Sequence, residues 1–150
     1  MVILQQYLAD MDIEGYNIVG DGYRDKYFEK TLEEVKKCNG KILLYKDNEK
    51  IVGLIVGIIN NDDTIRYDFK APKRGKITEL VVDKDYRGKG IGKILTEKIV
   101  KEVYNKTKEG QKASINLISM QGKEEFYEKC GFRKISFDFT GYGMIRRIEN

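Results

Sequence analysis

IVGLIVGII, residues Ile51 to Ile59, leaves this chain little freedom. Nine residues without a charge, rich in β-branched types, read as a strand that is apolar on both faces. Such a strand belongs inside a sheet with other layers covering both sides. The run is too short to cross a bilayer, where a helix needs about 20 apolar residues. Gly53 and Gly57 interrupt it. Glycines inside a strand point to a bulge or to something approaching the backbone closely.

The neighbours of this strand supply the remaining elements. KILLYK (Lys41 to Lys46), the polar turn DNEK and the apolar run form a hairpin. Upstream, Ile3 to about Lys37 is predicted helical. Two glycines and the aromatic cluster Tyr23, Tyr27 and Phe28 break it into two helices. Thr31 with Glu34 fits a capping box opening the second helix, and Asn39-Gly40 fits its stop.

Downstream, NNDDTIRYDFKAPKR is loop-like, and KITELVVD (Lys76 to Asp83) is a strand. Ile91, Leu95, Ile99 and Val103, with Ile94 beside them, make a helical stripe. KASINLIS is a strand, and GKEEFYEKCGF is a short helix stopped by Gly131. RKISFDF and GYGMIRRI are two closing strands. Helices, strands and helices in this mixed order predict a single α/β (α+β) domain over residues 1–150, a sheet flanked by helices.

Composition excludes several functions. Charged residues are 35% of the chain and the net charge is +4, with Lys and Glu interspersed. That is a solvated mixed surface, without the basic blocks and interleaved aromatics of a nucleic-acid binder. Two cysteines make no disulfide framework. The N-terminus lacks a charged leader and a cleavage site, so a reducing cytoplasm is the expected compartment, with no membrane partner. There is no histidine. Ser-His-Asp and Cys-His nucleophilic machinery and His-ligated metal sites are therefore out, and no metal is expected. Acid–base work falls to Asp, Glu, Tyr, Lys or Cys.

Between the strand KITELVVD and the helical stripe lies YRGKGIGKIL (Tyr86 to Leu95). Strand, glycine turn, helix N-terminus is a phosphate-binding order, because backbone N–H groups and the helix dipole converge on an anion. Arg87, Lys89 and Lys93 add full charges. A Walker loop needs Ser or Thr after Gly-Lys, but Ile94 follows Gly92-Lys93, and Arg87 stands where its first glycine belongs. A dinucleotide fingerprint starts at Gly88 and Gly90 but reaches Lys93 where its third glycine belongs. What remains is Arg-x-x-Gly-x-Gly, Arg87 to Gly92.

ELVVDKDYRGKGIGKIL resembles the acyl-CoA-binding segment of the GNAT superfamily of N-acetyltransferases. FYEKCGF (Phe126 to Phe132) resembles that family's second block, in the same order along the chain. The two blocks cover the second half well, whereas the first half agrees only in element order. The resemblance implies a mixed, mostly antiparallel sheet splayed into a V, with the pantetheine arm of acetyl-CoA, the cosubstrate, in the V. Its pyrophosphate would lie on Arg87, Gly88, Lys89, Gly90, Ile91, Gly92 and Lys93, and the arm would pair with the main chain of Leu80, Val81 and Val82 in the manner of an added strand. Relatives begin with a strand before the first helix, whereas MVIL is at most a short remnant. They often carry Asn where this chain has Met120, with Gln121 beside it as a substitute.

Moving an acetyl group from a thioester to a primary amine has three needs. The amine must be neutral, yet one with a pKa near 10.4 is so only about once in a thousand at pH 7. The oxyanion needs a donor, for which a backbone N–H near Val81 or Val82 is placed. The departing thiolate needs a proton. The resemblance puts Tyr127 in this last role; by itself, Phe126-Tyr127 reads as a helix's core aromatic pair. Glu79, on the strand feeding the loop at the V's opening, is the candidate general base acting through a water; by itself it reads as a solvated or structural strand residue. Asp83 caps the turn before Tyr86. Cys130 reads as a small buried hydrophobe rather than a nucleophile, so direct transfer in a ternary complex is expected.

Acceptor selectivity in such proteins lies near Tyr23, Tyr27, Asp62, Asp63, Asp68 and Tyr142, residues that suit a cationic small-molecule or protein amine and read equally as solvated loop residues. The rival readings are a non-catalytic acyl-CoA sensor of the same fold and a nucleic-acid module using the basic loop. A homodimer suits such folds, through pairing of late strands, though no residue specifies it.

Overall fold

A computed structural model describes Ile3 and residues 23–60, 73–106, 112–135 and 143–149. Helix α1 (Tyr23–Lys37) leads into the hairpin β1 (Lys41–Asp47) and β2 (Lys50–Asn60), followed by β3 (Lys73–Val82). A short 3-10 turn (Lys84–Tyr86) connects β3 to α2 (Ile91–Asn105). Then come β4 (Lys112–Ile118), α3 (Glu124–Lys129), β5 (Arg133–Ile135) and β6 (Gly143–Glu149). The six strands lie in the order β1-β2-β3-β4-β6-β5, and every neighbouring pair is antiparallel except β3 with β4. The expected mixed, mostly antiparallel sheet with flanking helices is what forms.

β2 is buried from Val52 through Ile59, and each face meets a different layer. Ile55 and Ile59 pack with Leu95, Ile99 and Val103 of α2. Leu54 and Val56 pack with Ile3 and Val81, and with Tyr27, Phe28 and Val35 of α1. The strand glycines let α2 lie close. A Cβ at Gly53 would stand 2.9 Å from Ile91, and one at Gly57 would stand 2.9 Å from Ile99. The close approach expected at these glycines is therefore the helix.

Three sequence expectations change. Thr31 does not open a helix: α1 is already under way, and the Thr31 hydroxyl donates back to the Tyr27 carbonyl at 2.9 Å. The aromatic stretch ahead of it is helical because Tyr27 and Phe28 pack against the sheet two turns before Val35. Ile94 stands 41% exposed, off the buried stripe. At Ile3 the backbone is helical, in keeping with the helical reading that begins there. The stop at Asn39-Gly40 is present: Asn39 has φ 48, and the Gly40 N–H reaches back to the Val35 carbonyl at 2.8 Å.

Two irregularities of β3 position the site. The register against β2 pairs Glu79 with Val56 but Ile77 with Gly57, so Thr78 is an extra residue, a β-bulge. Before it Ile77 faces α2; after it Leu80 and Val82 face α2, while Val81 turns toward α1. The ladder to β4 then ends at Lys76–Asn116, although β3 runs on to Val82 and β4 to Ile118. The parallel pair splits into a V, and the last residues of β3 leave their β4-facing edge out of the ladder.

Candidate active site

A cleft of about 790 Å³ fills the split. Leu80, Val81 and Val82 line one wall, Leu117, Ile118 and Met120 the other. The glycine turn and the start of α2 form one end, and Phe126 and Tyr127 of α3 lean in.

The turn is tightly anchored. Asp83 accepts from the Asp85 N–H at 3.0 Å, capping the 3-10 turn as its sequence position implied, and pairs with Lys50 at 2.8 Å. The hydrogen bond from Lys50 holds the Asp83 carboxyl below its ordinary range. The Tyr86 hydroxyl donates to Asp47 at 2.7 Å, tying the turn to the β1–β2 hairpin. Arg87 Nε donates to the Val82 carbonyl at 3.0 Å, closing the end of β3.

Gly88 and Gly90 then take φ of 77 and 80, the left-handed region that other residues enter at a cost. A Cβ at either would meet nothing within 4 Å, so conformation rather than space demands glycine here. Ile94 N–H closes the first helical bond, to Gly90 at 3.0 Å. The amides of Ile91, Gly92 and Lys93 therefore have no acceptor within their own helix and point from its positive end. Arg87 and Lys93 line the cleft around them. Backbone donors at a helix N-terminus, two left-handed glycines and flanking cations together fit a diphosphate.

α3 is fixed from both ends. A Cβ on Gly92 would lie 3.2 Å from the Phe126 ring, so α3 seats directly on the start of α2. Its C-terminus closes through Phe132 N–H to the Tyr127 carbonyl at 3.0 Å, with Gly131 at the stop. Arg146 of β6 donates to the Cys130 carbonyl and to Glu97 of α2, each at 2.9 Å. Tyr127 is thereby held half-buried, edge-on to Phe126 (4.9 Å between centroids) and to Phe132 (5.9 Å). Cys130 is 2% exposed, and burial pushes its thiol up, away from the thiolate.

Glu79 lies on the other face of β3, immediately before the cleft-lining Leu80. It is 7% exposed and accepts a hydrogen bond from Tyr27 at 2.7 Å and one from Thr78. Burial pushes its carboxyl up; the two hydroxyls pull it part of the way back.

Of the residues singled out by sequence, Leu80 to Val82, Arg87, Gly88, Gly90 to Lys93 and Tyr127 meet around one cleft. Lys89 instead lies over the Tyr86 ring, 4.6 Å from its centroid. Met120 lines the cleft whereas Gln121 is exposed, so a thioether stands where an amide was sought. Lys123 and Lys129 also line the cleft. Their signal was present, since Lys129 is the lysine of FYEK and Lys123 stands three residues before that block, but a lysine in or beside a short helix reads first as solvated surface. Asp62, Asp63, Asp68 and Tyr142 lie outside the described residues, as does the side chain of Tyr23. Among the described residues no group of His, Cys, Asp and Glu is placed to hold a metal ion, and no helix is long and apolar enough to cross a membrane.

Solved structures share the fold. A GNAT-family acetyltransferase from Staphylococcus aureus Mu50 superposes with a TM-score of 0.66 at 20% identity, covering 93% of this chain and 85% of its own. PaiA N-acetyltransferase from Thermoplasma acidophilum, in complex with coenzyme A, gives 0.62 at 21% identity over 87% and 81%. Glucosamine-6-phosphate N-acetyltransferase from Arabidopsis thaliana gives 0.60 at 23% identity over 93% and 92%. Among curated proteins nothing matches. The model of the acetyltransferase (GNAT) family matches residues 6–132, which include the split strand, the glycine turn and the FYEKCGF block. The chain is a member of the GNAT family of acetyltransferases.

Proposed function

We propose that this protein is an N-acetyltransferase that moves the acetyl group of acetyl-CoA to a primary amine by direct attack in a ternary complex. The observation that carries the reading is the β3–β4 split, which opens a strand edge directly beside a glycine turn at a helix N-terminus. The amides of Ile91, Gly92 and Lys93, with the side chains of Arg87 and Lys93, take the pyrophosphate. The main chain of Leu80 to Val82 takes the pantetheine arm as an added strand, and an N–H near Val81 or Val82 stabilises the oxyanion.

The reaction forms a C–N bond and breaks a C–S bond. Tyr127 gives its phenolic proton to the departing sulfur. Glu79 takes the amine proton through a water, and a carboxyl raised by burial suits that task near neutral pH. A buried, protonated Cys130 thiol and the lack of any histidine speak for direct transfer over an acetyl-enzyme. The acceptor is a small-molecule or protein amine. Both kinds occur among fold neighbours, a glucosamine-6-phosphate N-acetyltransferase and a NatC complex bound to a Gag peptide and CoA. Two free cysteines suit a reducing cytoplasm.

The test is thiol release from acetyl-CoA with a panel of polyamines, amino sugars, amino-acid amides and lysyl peptides. At least one amine is expected to turn over. Tyr127→Phe should lower kcat by about 10²- to 10⁴-fold while acetyl-CoA still binds. Binding of acetyl-CoA without turnover of any amine would favour the sensor reading instead, whereas turnover with kcat unchanged in Tyr127→Phe would take the acid role away from Tyr127.

A further inference from the structure

Glu79 is a buried carboxylate held by two hydroxyls that come from different elements. Past the Thr78 bulge its side chain enters the layer between the sheet and α1, opposite Val56 and next to Val81. An ionised carboxylate in such a layer must be matched by donors. Each oxygen receives one: Tyr27 OH donates to Oε1 at 2.7 Å and Thr78 Oγ1 donates to Oε2. One donor comes from the bulge itself. The other comes from α1, 52 residues away in sequence. Both carboxylate oxygens are therefore fixed from two different elements, one residue before the strand edge that opens into the cleft.

We propose that Tyr27, with Thr78, is a positioning residue of the active site. Together they grip the Glu79 carboxylate in one orientation beside the open edge of β3 and keep it ionised, ready to take the amine proton. The inference rests on Glu79 being the base. It also gives α1 a role in chemistry as well as in packing, because a shift of that helix would release one oxygen of the base.

The other groups facing the carboxylate are few. Among the described residues Glu34 of α1 pushes the carboxyl up and Lys76 of β3 pulls it down, both less than burial and the two hydroxyls. β2 presents apolar side chains on this side, Ile51, Leu54 and Val56 among them. Removing a donor hydroxyl should therefore move the titration of Glu79 in one direction, upward.

The test titrates Glu79 by side-chain carbon-13 NMR in the wild type, Tyr27→Phe and Thr78→Val. These two variants change different elements, so a folding defect in one leaves the other readable. Each is expected to raise the midpoint by roughly 0.5–1 pH unit. Tyr27→Phe should also lower kcat with the fastest amine of the panel and move the acidic limb of its kcat–pH profile upward by the same amount as the midpoint. Acetyl-CoA affinity should be unchanged, since Tyr27 lies across β3 from the cleft. Midpoints that stay in place in both variants would overturn the inference while leaving Glu79 as base, provided Glu79→Gln is inactive. A fully active Glu79→Gln would overturn the base assignment itself, and the positioning role with it.

Discussion

A carboxylate as enclosed as Glu79 works against folding once it is ionised. Its carboxyl is held above the ordinary range, chiefly by burial, so the folded chain keeps this proton to a higher pH than the unfolded chain does. Between those two midpoints the folded state binds more protons, and stability falls as pH rises through that window. Glu79→Gln should therefore raise the thermal midpoint at pH 7 to 8, with the advantage shrinking toward about pH 4. A variant destabilised equally at every pH would mean that the carboxylate is fully compensated by its two hydroxyls. Gly90, at φ 80, is the second telling residue. Gly90→Ala should cost about 1–2 kcal/mol of stability and weaken acetyl-CoA binding, read by urea unfolding and calorimetry. Both residues stood out in the sequence, but for unequal reasons. A glycine ahead of a helix declares its left-handed backbone by being glycine. Nothing in KITELVVD declares which face Glu79 takes, because the Thr78 bulge that sets it exists only in register with β2.

The elements themselves were largely legible because hydrophobic period carries them. The doubly apolar β2 and the stripe Ile91, Leu95, Ile99, Val103 each gave one answer, and they pack on one another. The start of α1 was not legible, because Thr31 and Glu34 mimic a cap whereas the helix is set by aromatic contacts a turn earlier. The β3–β4 split was hidden in the same way as the bulge. It depends on where two strands stop pairing, and only the family resemblance announced it. The α2–sheet contact yields its own prediction. Gly57→Ala places a Cβ 2.9 Å from Ile99 Cδ1 and 3.0 Å from its Cγ2, so it should cost about 1–3 kcal/mol by overpacking. Adding Ile99→Val, which removes Cδ1, should make the pair's loss smaller than the sum of the single losses. Additive losses would contradict the close helix–strand contact.

At the scale of the molecule, a mild +4 charge says little, but its placement says more. Arg87, Lys93, Lys123 and Lys129 all line one cleft, with the helix N-terminus at its end. Binding of a polyanionic cosubstrate there should weaken as salt rises past about 0.1 M, where screening sets in within about 10 Å. Mass spectrometry of the protein incubated with acetyl-CoA and no amine should find Cys130 unmodified, since its thiol is buried and protonated. An acetyl adduct there would replace direct transfer with a two-step route. The proposed reaction depends on the cleft being an acetyl-CoA site. The most direct measurement is therefore thermal stability with and without acetyl-CoA, with NAD and ATP alongside. At a hundredfold excess over its dissociation constant, acetyl-CoA should add about 2.7 kcal/mol, a rise of roughly 5–10 °C in Tm, with NAD and ATP giving little. No shift with acetyl-CoA, or an equal shift with ATP, would contradict the assignment of the glycine turn and the split strand to this cosubstrate.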